Sequence, residues 1–247
     1  MINITESPTE AISSLLKVPN ARDCISYYKS LFSVNFNYLD IEVSQGNYPE
    51  FKSFLIDLKA QKSDTQICVK VTTLNFLEKL ILDEFGDYWL LSLDEFLAKK
   101  SFFDDFLKSH KSLAPKIMLV VPFSFFKSKE SKQLLHQISD LKITKIRILE
   151  DEKNQLLNDF EKVLQMIENQ NFEYFWQLIG KTENLYDKME KLYTLGARNF
   201  VGCLHGLQNH IPTEKLISFA HAHREPISIK TLAFEYAYNR ALYLFSK

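Results

Sequence analysis

A (β/α)8 TIM barrel is the fold class this sequence predicts, on three observations: a count of short apolar runs, the helical periodicity between them, and the length. Eight runs recur about every 20 to 30 residues, at 34–43, 66–72, 88–93, 116–123, 143–150, 172–179, 199–205 and 227–231. Each is followed by a stretch in which apolar residues return at three and four positions, the period of an amphipathic helix. At 247 residues the chain matches one such barrel, which typically spans roughly 250. The expectation is a single barrel domain over residues 1–247 with a helical extension at its carboxyl end.

Taken in order, helices are expected over residues 50–61, 74–84, 94–110, 129–141, 155–169, 185–195 and 213–224. Punctuation agrees: Pro115 precedes a strand, Gly196 follows a helix, and Pro212 with Thr213 opens the last of these helices. The tail 232–245 carries Phe234, Tyr236, Tyr238, Leu242 and Leu244, which either close the barrel bottom or form a homodimer face. Short loops and the absence of a Pro/Gly/Ser-rich linker fit one unit.

Composition excludes several classes of function. The 30 basic and 31 acidic residues leave a net charge of −1, which offers no field for nucleic acid or an anionic membrane. No apolar run reaches the roughly 18 residues of a membrane span, and the first residues lack a signal peptide's basic and apolar regions, so a cytoplasmic protein is expected. Cys24, Cys68 and Cys203 share no close spacing and read as reduced packing residues. His221 and His223 diverge on a helix, and neither a P-loop nor GxGxxG occurs, so no metal or cofactor is expected.

Polar residues interrupt the apolar runs with period two, and successive strand side chains face opposite ways. If Ile67, Val69 and Val71 face the helices, then Cys68, Lys70 and Thr72 point into the barrel. The same alternation turns inward Asp40 and Glu42, Lys145 and Arg147, and Ser228 and Lys230. An ionised group buried without a partner costs several kcal/mol or shifts its pKa, so interior charges are paired or used. One reading is a salt-bridge plug. The other is a lysine in a water-poor pocket, made nucleophilic toward a carbonyl by desolvation and nearby cations, with a carboxylate or histidine moving the proton.

Loops after the strands add candidates. His205, Gln208 and His210 share the loop after the seventh run, and Gly180-Lys181-Thr182 sits where an anion could meet a helix N-terminus. Phe123, Phe125 and Phe126 after the fourth run read as core or rim packing, with an apolar lid as the alternative.

The order of these motifs resembles the type I 3-dehydroquinate dehydratases, barrel lyases that form a lysine imine with a cyclic ketone. The resemblance covers residues 38–216 and rests on the acidic strand 38–43, Val69-Lys70-Val71-Thr72-Thr73, the strand 116–122 and Thr144-Lys145-Ile146-Arg147-Ile148. Ile179-Gly180-Lys181 and Gln208-Asn209-His210-Ile211-Pro212 complete it. It implies that Lys145 forms the imine, that Lys70 holds a substrate carboxylate and that Asp40 lies near the acidic position. The family's histidine is replaced within Val121-Pro122-Phe123-Ser124, and its later arginine is missing from residues 182–187. In the family's register residues 2–5 form the first strand and 227–231 follow the barrel; the count of apolar runs instead begins at residue 34.

Two functions are expected from this. The first is a Schiff-base lyase or aldolase acting on a small anionic carbonyl metabolite. In it Lys145 is the nucleophile, Asp40, Glu42 or His205 the proton carrier, and Lys70, Arg147, Thr72, Gln208, His210 and Lys230 bind the substrate. The second is a catalytically degenerate barrel that binds a metabolite or a protein partner.

Overall fold

The computed structural model describes residues 1–9, 12, 20–60, 63–71, 74–83, 85–150, 159–179 and 182–245. Its eight strands are β1 (Asn3–Glu6), β2 (Tyr38–Val43), β3 (Gln66–Val71), β4 (Tyr88–Ser92), β5 (Ile117–Pro122), β6 (Lys145–Leu149), β7 (Glu173–Gln177) and β8 (Asn199–Gly202). They close in chain order into a barrel, so the fold is the (β/α)8 TIM barrel expected from the sequence.

The described helices are α1 (Ala21–Val34), α2 (Tyr48–Lys59), α3 (Leu74–Leu82), α4 (Leu93–Ala98), α5 (Lys100–Ser109), α6 (Ser131–Asp140), α7 (Phe160–Glu168), α8 (Thr182–Thr194), α9 (Thr213–Ala222) and α10 (Thr231–Phe245). Local sequence sets their ends. Asn20 caps α1 by accepting the Asp23 amide at 2.9 Å, and Ser92 with Glu95 forms a capping box for α4. The single helix expected over 94–110 breaks at Lys99, whose φ of −128° lies outside the helical region.

The strand count is right and its membership is corrected. Residues 227–231 pair with no strand: Thr231 opens α10, and residues 227–230 form a strap in which the Lys230 amide donates to the Val34 carbonyl at 2.9 Å and the Ser228 hydroxyl to the Asn35 carbonyl at 3.1 Å. Ser228 and Lys230 are exposed, which removes Lys230 from the barrel interior. Of the two registers the sequence offered, the structure takes the one that begins at residues 2–5, and the remaining place belongs to β1. Residues 34–37 also leave the first of the expected runs, 34–43, because Val34 ends α1 and Asn35 caps it at φ 69°.

The chain divides into two compact units, residues 1–88 with 200–247, and residues 89–199. In the first, Tyr27 of α1 meets Phe245 of α10 edge-on at 5.7 Å. Gly86 there adopts φ 85°, and a Cβ on it would stand 2.5 Å from Val69 Cγ2. In the second, Trp176 of β7 packs 5.3 Å from Phe160, and Phe123 lies 5.7 Å from Phe160. Phe123 and Phe126 are buried, as packing requires. Among the described residues no helix is long and apolar enough to cross a membrane.

Candidate functional site

Alternation gives the inward faces as expected. Trp176 packs on α7, so Phe175 and Gln177 turn to the other side of β7, and the register Lys145↔Glu173 and Arg147↔Phe175 places both β6 cations there too. On β2, Tyr38 reaches past β3 to Tyr88 of β4 at 5.9 Å between ring centroids. Tyr38, Asp40 and Glu42 therefore share the inward face, and the register Asp40↔Cys68 and Glu42↔Lys70 adds the β3 residues.

Depth along the strand separates these residues. Chemistry on this fold sits at the carboxyl ends of the strands. Glu42 and Lys70 are each one residue from that end, whereas Lys145 opens β6, about 13 Å away at the rise of a strand. Its ammonium is held by the Glu173 carboxylate, which opens β7, so both stand at the amino-terminal end of the barrel. Asp40 and Arg147 lie midway along their strands and are buried.

Glu42 and Lys70 form an ion pair of 3.4 Å, with side chains 31% and 40% exposed. The Tyr28 hydroxyl of α1 hydrogen-bonds to the backbone of Glu42, fixing this strand end from behind.

A second cluster closes β1 against the turn after β8. The Ser7 amide donates to Gly202 at 2.8 Å. Glu6 is fully buried, accepts the Leu204 amide at 2.9 Å through Oε1 and the Thr213 hydroxyl through Oε2. Burial pushes its carboxyl up to about 8; the two hydrogen bonds oppose this, and the charges of Glu214 and Asp40 add to it. Glu6 is thus mainly protonated at neutral pH.

In the second unit Lys188 of α8 and Glu150, just after β6, form a buried pair at 2.7 Å, and Glu150 also accepts the Ile179 amide at 3.0 Å. Lys188 shares its helix face with the buried Leu185, Met189 and Leu192, and a lysine among such neighbours was the available sequence signal.

The remaining expected residues separate. His205 turns to α10: its ring lies 4.1 Å from that of Tyr238, and its Nε2 is 3.3 Å from the Tyr238 carbonyl oxygen. His210 is buried under the same loop. Gln208 lies in the turn Leu204–Asn209. Thr72, Gly180 and Lys181 fall outside the described residues. Among the described residues no three His, Cys, Asp or Glu side chains are arranged to hold a metal ion, and no ligand set is assigned.

No family model matches the chain, and no curated protein matches it by sequence. Solved structures do match in fold. An HMG-CoA lyase from Acinetobacter baumannii, in complex with coenzyme A and 3-methylmalate, aligns over 100% of this chain and 92% of its own with a TM-score of 0.76 at 16% identity. The HMG-CoA lyase of Brucella melitensis aligns over 100% and 99% with a TM-score of 0.73 at 11% identity. The amino-terminal domain of a Bacteroides vulgatus protein assigned as an aldolase aligns over 99% and 87% with a TM-score of 0.77 at 11% identity. At these identities the likeness is one of fold, the fold of lyase and aldolase barrels. It overturns the resemblance to type I 3-dehydroquinate dehydratase, and the imine expected at Lys145 loses its support with it.

Proposed function

We propose that this chain is a carbon–carbon lyase of the aldolase type acting on a small anionic carbonyl compound. The observation that carries this reading is the Glu42–Lys70 pair: opposite charges 3.4 Å apart, inward-facing, near the carboxyl ends of adjacent strands, and each about a third exposed. Glu42 Oε2 faces the Lys70 ammonium as a charge contact without hydrogen-bond alignment, which leaves the pair able to turn to a substrate. The fold relatives support the same chemistry, one of them having been solved with 3-methylmalate, a small hydroxy-acid anion.

The residues act as follows. Glu42 accepts the proton of a β-hydroxyl group as the bond between the α and β carbons breaks. The hydroxyl carbon leaves as a new carbonyl, and the bonding electrons pass into an enolate of the remaining fragment. The Lys70 ammonium faces the enolate oxygen and stabilises its charge as it develops. The proton on Glu42 then returns to the enolate carbon, restoring the carboxylate. Because the base and the electrostatic group are already paired, neither must be drawn from solvent during the reaction.

Carbonyl release from a panel of small β-hydroxy carbonyl acids, such as 4-hydroxy-2-oxo acids, tests this. Glu42→Gln should lower the rate by about 10²- to 10⁴-fold, the usual cost of a lost acid/base group, with folding unchanged. A wild-type chain inert toward the whole panel, or a Glu42→Gln chain as fast as wild type, refutes the assignment.

A further inference from the structure

We propose that the groove between α10 and the start of α9 binds a small organic ammonium ion. It is an open groove of about 420 Å³ lined by Glu214, Phe234, Glu235, Tyr238 and Asn239, a volume within the range of small-molecule sites. This site shares no residue with the Glu42–Lys70 pair and does not depend on the lyase reading.

The composition of the wall selects the ligand. Phe234 and Tyr238 stand one helical turn apart with ring centroids 6.2 Å apart and planes tilted by 34°, so they present adjacent aromatic surfaces. A neutral apolar solute would use these rings and gain nothing from the two negative charges beside it. An inorganic cation would use the carboxylates and leave the rings unused. An alkylammonium ion satisfies both, since its positive charge is attracted to ring faces and carboxylates while its methyl or methylene groups cover the apolar wall. Asn239 supplies an amide that can accept from an N–H group.

The wall is also held in place before a ligand arrives. His205, at φ 65°, donates its amide to the Glu214 carboxylate at 3.3 Å, and its ring meets that of Tyr238 at 4.1 Å with the planes tilted by 43°. Ala237 and Ala241 are fully buried on the face of α10 that adjoins Phe234 and Tyr238, which fixes the rotation of the helix and so the direction of these rings. Little ordering remains to be done on binding, which favours affinity in a shallow site.

The test titrates the full chain with tetramethylammonium chloride at constant ionic strength and follows the aromatic ring resonances by NMR. Tert-butanol serves as the neutral probe of similar size and sodium chloride as the inorganic one. Saturable shifts with tetramethylammonium alone are expected, weakened about tenfold by Tyr238→Leu and about tenfold by Glu235→Gln, each a loss of about 1.4 kcal/mol. Glu235 is exposed, so its variant keeps the fold even if the Tyr238 variant does not. Equal binding of tert-butanol, no saturable shift with tetramethylammonium, or unchanged affinity in Glu235→Gln overturns the proposal.

Discussion

Replacing Glu6 by Gln tests the buried cluster that ties β1 to the turn after β8. The carboxyl is fully buried and pushed from 4.5 to about 8, a displacement worth about 5 kcal/mol between its protonation states. Below about pH 4.5 the acid is protonated in both folded and unfolded chains, and its contribution is fully present. As the pH rises toward 8 the unfolded chain releases the proton while the folded chain keeps it, so stability falls by about 1.4 kcal/mol per pH unit and levels off above the folded value. Glutamine has nearly the same shape, can accept the Leu204 amide and donate to Thr213, and does not titrate. Urea denaturation at pH 5, 6, 7 and 8 therefore shows Glu6→Gln gaining on wild type by about 1.4 kcal/mol per unit. The difference between the two chains cancels the histidines and other groups common to both. Parallel stability curves across this range would refute the reasoning.

Borohydride with a panel of keto acids leaves no adduct on Lys145 by peptide mass analysis, and Lys145→Met keeps the wild-type turnover, because that ammonium is engaged by Glu173 far from the mouth. Lys188→Met strands the Glu150 carboxylate in the interior and lowers stability by about 3–5 kcal/mol in chemical denaturation. Gly86→Ala drives a Cβ into Val69 at φ 85° and costs about 1–3 kcal/mol, read as a lower melting temperature.

Period-two alternation was legible in the sequence because strand geometry imposes it on every residue: Asp40, Glu42, Lys70, Lys145 and Arg147 all lie on the inward side. Position along the strand was not legible. Lys70 and Lys145 sit in the same kind of alternating run, yet one is at the carboxyl end and the other at the amino end, and only the true strand boundary distinguishes them. The strap at residues 227–230 shows why a count of runs that starts at residue 34 takes the wrong eighth strand, since a segment with one face on the protein and one in water alternates whether or not it joins a sheet. The side to which His205 turns was not legible, because its φ of 65° is a backbone choice that local composition does not encode. The family resemblance rested on the order and spacing of strands, loops and one Ile-Pro turn. That order is shared by barrels of unrelated chemistry, so it carried the fold and not the family.

Proton exchange in heavy water tests the Glu42–Lys70 assignment most directly, because enolisation needs only half of the reaction and no knowledge of the full substrate. Small carbonyl acids bearing an α-hydrogen are incubated with the chain, and loss of the α-proton signal is followed by NMR. The account predicts exchange of at least one of them by the wild-type chain, abolished by Glu42→Gln and slowed by Lys70→Met. Exchange that continues undiminished in Glu42→Gln, or none with any compound, contradicts it.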